Sequence, residues 1–179
     1  MASIFGHAIL GVGIAKIARK KTTWKIIGLA ALCTIIPDAD VLGHAFGIPY
    51  EHPFGHRGFT HSILFALLLA VFIKKVFFRN SKLTSTKGVA LVLLFFFSTL
   101  SHGLLDSLTN GGLGVNYFFP FHNERYFFPF RPIQVSPIGI KNFFSEWGLR
   151  VIISEVVWIC IPSTGLILLR SIINRFSSK

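Results

Sequence analysis

The chain has 179 residues, 52% of them hydrophobic and 14% charged, with a net charge of +11. That is too apolar for a soluble domain of this length and fits one membrane-embedded domain over residues 1–179. The excess of Lys and Arg does not indicate a nucleic-acid binder, because it lies in blocks between apolar runs and not over one folded face; the positive-inside rule and contact with anionic lipid produce that pattern.

Residues 3 to 15, SIFGHAILGVGIA, are apolar and rich in small residues, with His7 near their start and Lys16, Arg19, Lys20, Lys21 and Lys25 after them. They lack the basic start of a signal peptide, so this first helix is expected to be retained. A second run, residues 26 to 36, stops at Pro37, because the residue before proline is pushed out of the helical region. It is shorter than the ~20 residues that cross a bilayer, and is expected to be partly immersed, shielded, or continued past Asp38 and Asp40. Gly43, Gly47, Pro49, Pro53, Gly55 and Gly58 then predict a loop over residues 41 to 60.

Apolar structure resumes at Ser62 and is followed by Lys74, Lys75, Arg79, Lys82 and Lys87. The fourth run, Gly88 to Leu105, has no formally charged residue and contains His102. Residues 109 to 147 read as a long surface segment in which Tyr117-Phe118-Phe119-Pro120-Phe121 recurs as Tyr126-Phe127-Phe128-Pro129-Phe130. Two copies do not make a repeat protein. The aromatics suit either the membrane interface or a lid packed on the helices. Residues 151 to 169 complete the set with Glu155 and an expected kink at Pro162. Cys33 and Cys160 lie inside apolar runs without metal or redox spacing and read as core thiols. The fold expected is all-α: a polytopic membrane helix bundle with about five apolar helices and a long aromatic loop.

Placing the three basic blocks on the cytoplasmic side sorts the chain. Residues 16–25, 74–87 and 170–179 hold 13 of the 18 Lys and Arg, while all 7 carboxylates and all 7 histidines fall in the other half. The positive-inside rule constrains only Lys and Arg, so the acids and imidazoles need another cause, and a metal site is one.

His102 and Asp106 are spaced i, i+4 and share a helix face, where they can ligate one ion. A carboxylate inside an apolar run costs a few kcal/mol unless it is paired, which favours a functional use over a structural one. Asp38 and Asp40 would repel each other at the end of an apolar helix, and a divalent cation would relieve that; a helix-ending turn is the plainer reading. His56 and His61 flank Gly58, so at least one approaches from a loop, while Thr60 or Ser62 can cap the next helix. Arg57 has the planar donors that suit phosphate or carboxylate, and a head-group contact fits it equally. His7 has no local partner and joins the set only by coincidence with four other segments. His44, His52 and His122 are expected in solvated loop positions. Glu155, deeper in its apolar run than Glu146, suits a general-base or supporting role.

Together His7, Pro37-Asp38-x-Asp40, His56-Arg57-Gly58-x-Thr60-His61-Ser62 and Ser101-His102-x-x-x-Asp106 resemble the LexA-regulated, membrane-bound metal-dependent hydrolase family of bacterial inner-membrane proteins. The likeness covers roughly residues 1 to 110. The order of these elements is also distantly similar to zinc phospholipase C-like enzymes. The resemblance implies an inner-membrane protein using one or two divalent ions, zinc first, to hydrolyse an ester or phosphoester. The metal ligands would be His7, Asp38, Asp40, His56, His61, His102 and Asp106, with Arg57 and Glu155 in catalytic roles. Membrane lipid and an amphiphilic or lipid-linked substrate would be its partners, met at the non-cytoplasmic face. A metal-binding transport or sensing protein and a membrane scaffold with a structural metal are the alternatives.

Overall fold

Helix α1 (Ile4–Ala18) and α2 (Trp24–Cys33) form an antiparallel hairpin whose closeness depends on the absence of a side chain at one position. A Cβ on Gly11 would stand 2.8 Å from the Ala30 carbonyl oxygen and 2.9 Å from Thr34 Oγ1. Glycine weakens a helix interior by itself, but between membrane helices a small residue lets the backbones approach. The Thr34 hydroxyl closes the contact by donating to the His7 carbonyl at 2.8 Å.

This computed structural model describes residues 1–18, 22–137 and 140–176. Arg19, Lys20, Lys21 and Lys179, members of the predicted basic blocks, lie outside the described residues. After Thr34 the chain bends by 40° into a 3-10 helix, Ile36–Phe46, which ends at Gly47 with φ of 75°. The first part of the expected 41–60 loop is therefore helical, because Pro37 at the first turn of a helix has no N–H to leave unpaired; tight turns continue only after Gly47.

The second hairpin joins α3 (Ile63–Phe77) to α4 (Thr86–Ser107). Ser62 and Ser85 cap the two helices, accepting from Phe65 N and Gly88 N at 3.1 Å each. The hairpins pack on a core of Ala15, Ile26, Leu29, Ala30, Ala70, Ile73, Leu91, Leu94 and Phe95, with Cys33 buried among them. The last helix, α5 (Glu146–Phe176), lies parallel to α1: Gly6 faces Glu155 and Gly13 faces Ser163. Seven residues of α1 thus match eight of α5, and the π turn Val156–Cys160 takes up the extra one. Pro162 sits just past that turn and not at a break in the helix.

By length and composition α4 and α5 can cross a membrane, and α2 with the 3-10 helix makes a third span if the bent pair counts as one. Helices α1 and α3, 15 residues each, fall short of the ~20 needed. Against the about five apolar helices expected, length and composition mark two or three candidate spans among the described residues. Segment 109–137 is irregular, with isolated bridges between Thr109 and Ile133 and between Val115 and Tyr126. It folds back over the end of α4, where Tyr117 donates to the Gly103 carbonyl and Phe128 N to the Ser107 carbonyl.

Substituting Gly11 by Val should lower the thermal midpoint of the detergent-solubilised protein, by the ~1–3 kcal/mol that overpacking costs. Ala at Gly28, where nothing lies within 4 Å, should hold or raise the midpoint, since Ala favours a helix interior over Gly. Equal midpoints for wild type and Gly11→Val would contradict the tight α1–α2 contact.

Candidate metal centre

Four segments deliver polar side chains to one end of the bundle. Helix α4 brings His102 and Asp106 on one face, as their i, i+4 spacing requires. Helix α1 brings His7, the turn before α3 brings His61, and the 3-10 helix brings Asp38. At three residues per turn, positions 38 and 40 point to different sides. Asp38 consequently faces His7, His61 and His102, while Asp40 faces His56 and Thr60.

The five inward side chains converge closely. Asp38 oxygens lie 3.4 Å from His102 Nε2, 3.7 Å from His61 Nε2 and 3.9 Å from His7 Nε2. Asp106 oxygens lie 3.4 Å from His7 Nε2 and 3.6 Å from His61 Nε2. The His7 and His102 rings stack with centroids 3.9 Å apart. Side chains of His7, His61, His102 and Asp106 are fully buried, and Asp38 is 7% exposed.

A layer behind these atoms fixes their direction. His102 Nδ1 donates to the Thr34 carbonyl at 2.7 Å, leaving Nε2 for the centre. His61 Nδ1 faces Asp40 Oδ2 at 3.2 Å and Thr60 Oγ1 at 3.0 Å, so its Nε2 also points inward. Asp40 in turn binds His56 Nδ1 at 2.7 Å, the Thr60 hydroxyl at 2.6 Å and the Arg57 amide at 3.2 Å. Metal-ligating imidazoles are commonly oriented by such outer contacts. Thr60 thus serves Asp40, and Ser62 is the helix cap.

Arg57 is fully buried with φ of 63°. Its Nε donates to Asp106 Oδ2 at 3.0 Å, Nη2 to Thr109 Oγ1 at 2.9 Å and Nη1 to the Gly111 carbonyl at 2.9 Å. A Cβ on Gly112 would come within 2.6 Å of Nη1, so the guanidinium fills its cavity. The head-group contact considered for Arg57 is therefore replaced by an internal pairing with Asp106. Glu155 is buried as well and binds the Ser3 amide and hydroxyl, holding the start of α1. Ala2 N completes Asp106 by donating to Oδ1 at 2.9 Å. Thr34, Thr109 and Ala2 carried no signal in the sequence, since two of them act partly or wholly through backbone atoms. His44, His52 and His122 are exposed, as expected, although His44 lies on the 3-10 helix and not in a loop.

The residues fit a divalent ion. Asp38, His61, His102 and Asp106 each offer a ligand atom, and these lie within 4.8 Å of one another; Asp40, His56 and His61 form a second such group. Histidine-to-carboxylate separations of 3.4 to 3.9 Å lie near the edge of about 3.4 Å of a tetrahedron built on ~2.1 Å bonds, while His61 Nε2 and His102 Nε2, 2.8 Å apart, would spread to share an ion. Both nitrogens of His7 and both oxygens of Asp38 are buried without a hydrogen-bond partner, and polar atoms left so are costly. Burial works against protonation of His61, but the carboxylates of Asp106, Asp38 and Asp40 outweigh it and hold its pKa up to about 10. Its Nε2 proton then points at His102 Nε2, 2.8 Å away, and an ion must displace it.

Fold and site together define a helical membrane protein with a buried histidine and aspartate cluster able to hold metal. The chain belongs to the YdjM inner membrane protein family, which it matches over residues 1–176. It is 38% identical over 170 residues to the inner membrane protein YbcI of Escherichia coli K12, covering 90% of this chain and 92% of that one. It is 31% identical over 126 residues to the inner membrane protein YdjM of the same organism, covering 60% of this chain and 61% of that one. No solved structure matches it.

His102→Ala and Asp38→Asn should lower the divalent metal content of the purified protein, and His52→Ala should not; full content in both site variants would remove the pair from the ligand set. Because ligands must lose their protons to bind, affinity should rise with pH below about 10, the pKa of His61. Calorimetry in buffers of different ionisation enthalpy counts the protons released; none released would exclude His61.

Proposed function

We propose that this protein is a membrane-bound metal-dependent hydrolase acting on an ester or phosphoester of a lipid-linked or amphiphilic substrate at the non-cytoplasmic face. The observation that carries the reading is the convergence of three imidazoles and two carboxylates, with His7 and Asp38 lacking any other partner. His7, Asp38, His61, His102 and Asp106 would hold the ion, zinc by its ligand chemistry. Asp40 and His56 would support them or hold a second ion. When bound, such an ion supplies Lewis-acid polarisation of the scissile group and a water of lowered pKa.

The chain's own groups set the geometry. Asp40 and the Thr34 carbonyl fix the two imidazoles, and Arg57 fixes Asp106. Arg57 and Glu155, expected in direct catalytic roles, are assigned positioning roles here, since both are committed to internal contacts. The likeness to the metal-dependent hydrolases and, distantly, to zinc phospholipase C-like enzymes supports a phosphoester as the substrate to try first.

An apolar groove of about 580 Å³ supports a substrate with a hydrocarbon chain. Met1, Ser3, Ile4, Phe5, Pro137, Phe143 and Phe144 line it with Ser136. It starts at the segment whose Ala2 amide binds Asp106, so a chain in the groove would lie beside the polar cluster. The concentration of 13 of the 18 Lys and Arg in the three basic blocks supports placing the cluster on the non-cytoplasmic side.

One observation favours a second reading. The ligand side chains are 0 to 7% exposed, as in a structural metal lock. The two readings differ in turnover. Wild type loaded with zinc should hydrolyse a phosphodiester on a long chain in detergent faster than the same head group on a short soluble chain, and Asp38→Asn should not. Arg57→Lys should lower metal affinity or activity about 10- to 100-fold, the usual effect of disturbing an outer contact. Metal bound without turnover of either substrate would favour the structural lock. For sidedness, in a background without the native cysteines, a cysteine at Asn123 should react with an impermeant thiol reagent in intact cells and one at Lys82 should not. The reverse pattern would place the cluster on the cytoplasmic side.

A further inference from the structure

At the opposite end of the bundle a cavity of about 350 Å³ lies at the α3–α4 turn, lined by Val76, Phe77, Phe78, Arg79, Asn80, Ser81 and Lys87. Two nearby cations are committed to holding the turn. Lys25 Nζ donates to the Phe77 carbonyl at 2.8 Å and lies over the Phe77 and Phe78 rings, while the buried Lys74 donates to the Ser81 carbonyl. Arg79 and Lys87 are different: both are exposed. Among the described residues, Lys and Arg pair with carboxylates only as Arg57 with Asp106 and Arg150 with Glu146. No Asp or Glu occurs anywhere from residue 52 to residue 105, so nothing in either hairpin helix neutralises them. One flank of the cavity is apolar, with Val76 36% and Phe77 40% exposed.

We propose that this cavity binds the phosphate head group of an anionic membrane lipid. Arg79 and Lys87 would bind the phosphate, and Val76 and Phe77 would border the first carbons of its chains. A guanidinium suits phosphate oxygens through its paired donors, and an ammonium adds a compact charge. Basic pockets between membrane helices are known to take such head groups. The inference does not depend on the metal centre, which is built from other residues at the other end.

The test uses the full chain in a neutral detergent, with binding followed by native mass spectrometry. The probes are palmitoyl-oleoyl phosphatidylglycerol, the matching phosphatidylcholine, and inorganic phosphate as a competitor. Arg79→Gln/Lys87→Gln is compared with Lys16→Gln/Arg150→Gln, which removes the same charge from exposed positions elsewhere. Thermal unfolding checks that both variants remain folded. Phosphatidylglycerol should bind wild type and the control pair equally and the cavity pair roughly thirtyfold more weakly, as the loss of two cations facing an anionic lipid implies. Phosphatidylcholine should bind far less, and millimolar phosphate should not displace the lipid. Equal weakening in both pairs, undiminished binding by the cavity pair, equal binding of phosphatidylcholine, or displacement by phosphate would each overturn the proposal.

Discussion

Two carboxylates buried among apolar helices are the constraint on which the site end of this fold depends. Asp106 is fully buried and Asp38 nearly so. Ionised groups in such surroundings are tolerated only when paired. Asp106 finds Arg57 and the Ala2 amide on one side and two imidazoles on the other. Asp38 finds only imidazoles, none closer than 3.4 Å. The asymmetry matters. Asp106 is satisfied by the chain itself, whereas the polar atoms of Asp38 and His7 have no hydrogen-bond partner and could take a cation.

Much of the surrounding structure follows from delivering these side chains. Gly11 brings α1 against α2, which sets His7 beside the end of α2 and gives His102 the Thr34 carbonyl. Gly6 leaves room for the Glu155 carboxylate, which ties the start of α1 to α5. Removing a small residue from either contact would move a ligand without touching it. The segment after α4 closes the assembly, since Thr109 and Gly111 complete the donors of Arg57. Nε of that guanidinium holds the Asp106 carboxylate, and the bonds of Nη1 and Nη2 hold the guanidinium itself.

What the sequence made legible depended on whether spacing and geometry are the same thing. His102 and Asp106 were readable because helical i, i+4 positions share a face. Their mates His7, Asp38 and His61 were readable only as polar residues at like ends of apolar runs. Asp38 and Asp40 looked equivalent, and they separate because the segment is a 3-10 helix whose turn throws alternate residues apart. His56 and Asp40 consequently stand behind His61 instead of beside it. Arg57 looked like a phosphate donor because its type suits phosphate; only the fold reveals that Asp106, Thr109 and Gly111 already use it. Crossing was less legible than helix formation, since the apolar runs of α1 and α3 form helices of 15 described residues each, under the ~20 that span a bilayer unaided.

The two ends of the bundle have opposite chemistry, imidazoles and carboxylates at one and, at the other, a concentration of Lys and Arg that includes Arg79 and Lys87. That division makes a metal at the acidic end the claim on which the account stands. X-ray absorption at the zinc edge, on protein purified from cells without added metal or affinity tag, tests it most directly. The account predicts bound zinc with only nitrogen and oxygen neighbours near ~2.0–2.2 Å and the multiple-scattering signature of imidazole. Sulfur in the coordination shell, or metal-free protein that stays metal-free when zinc is offered, would contradict it.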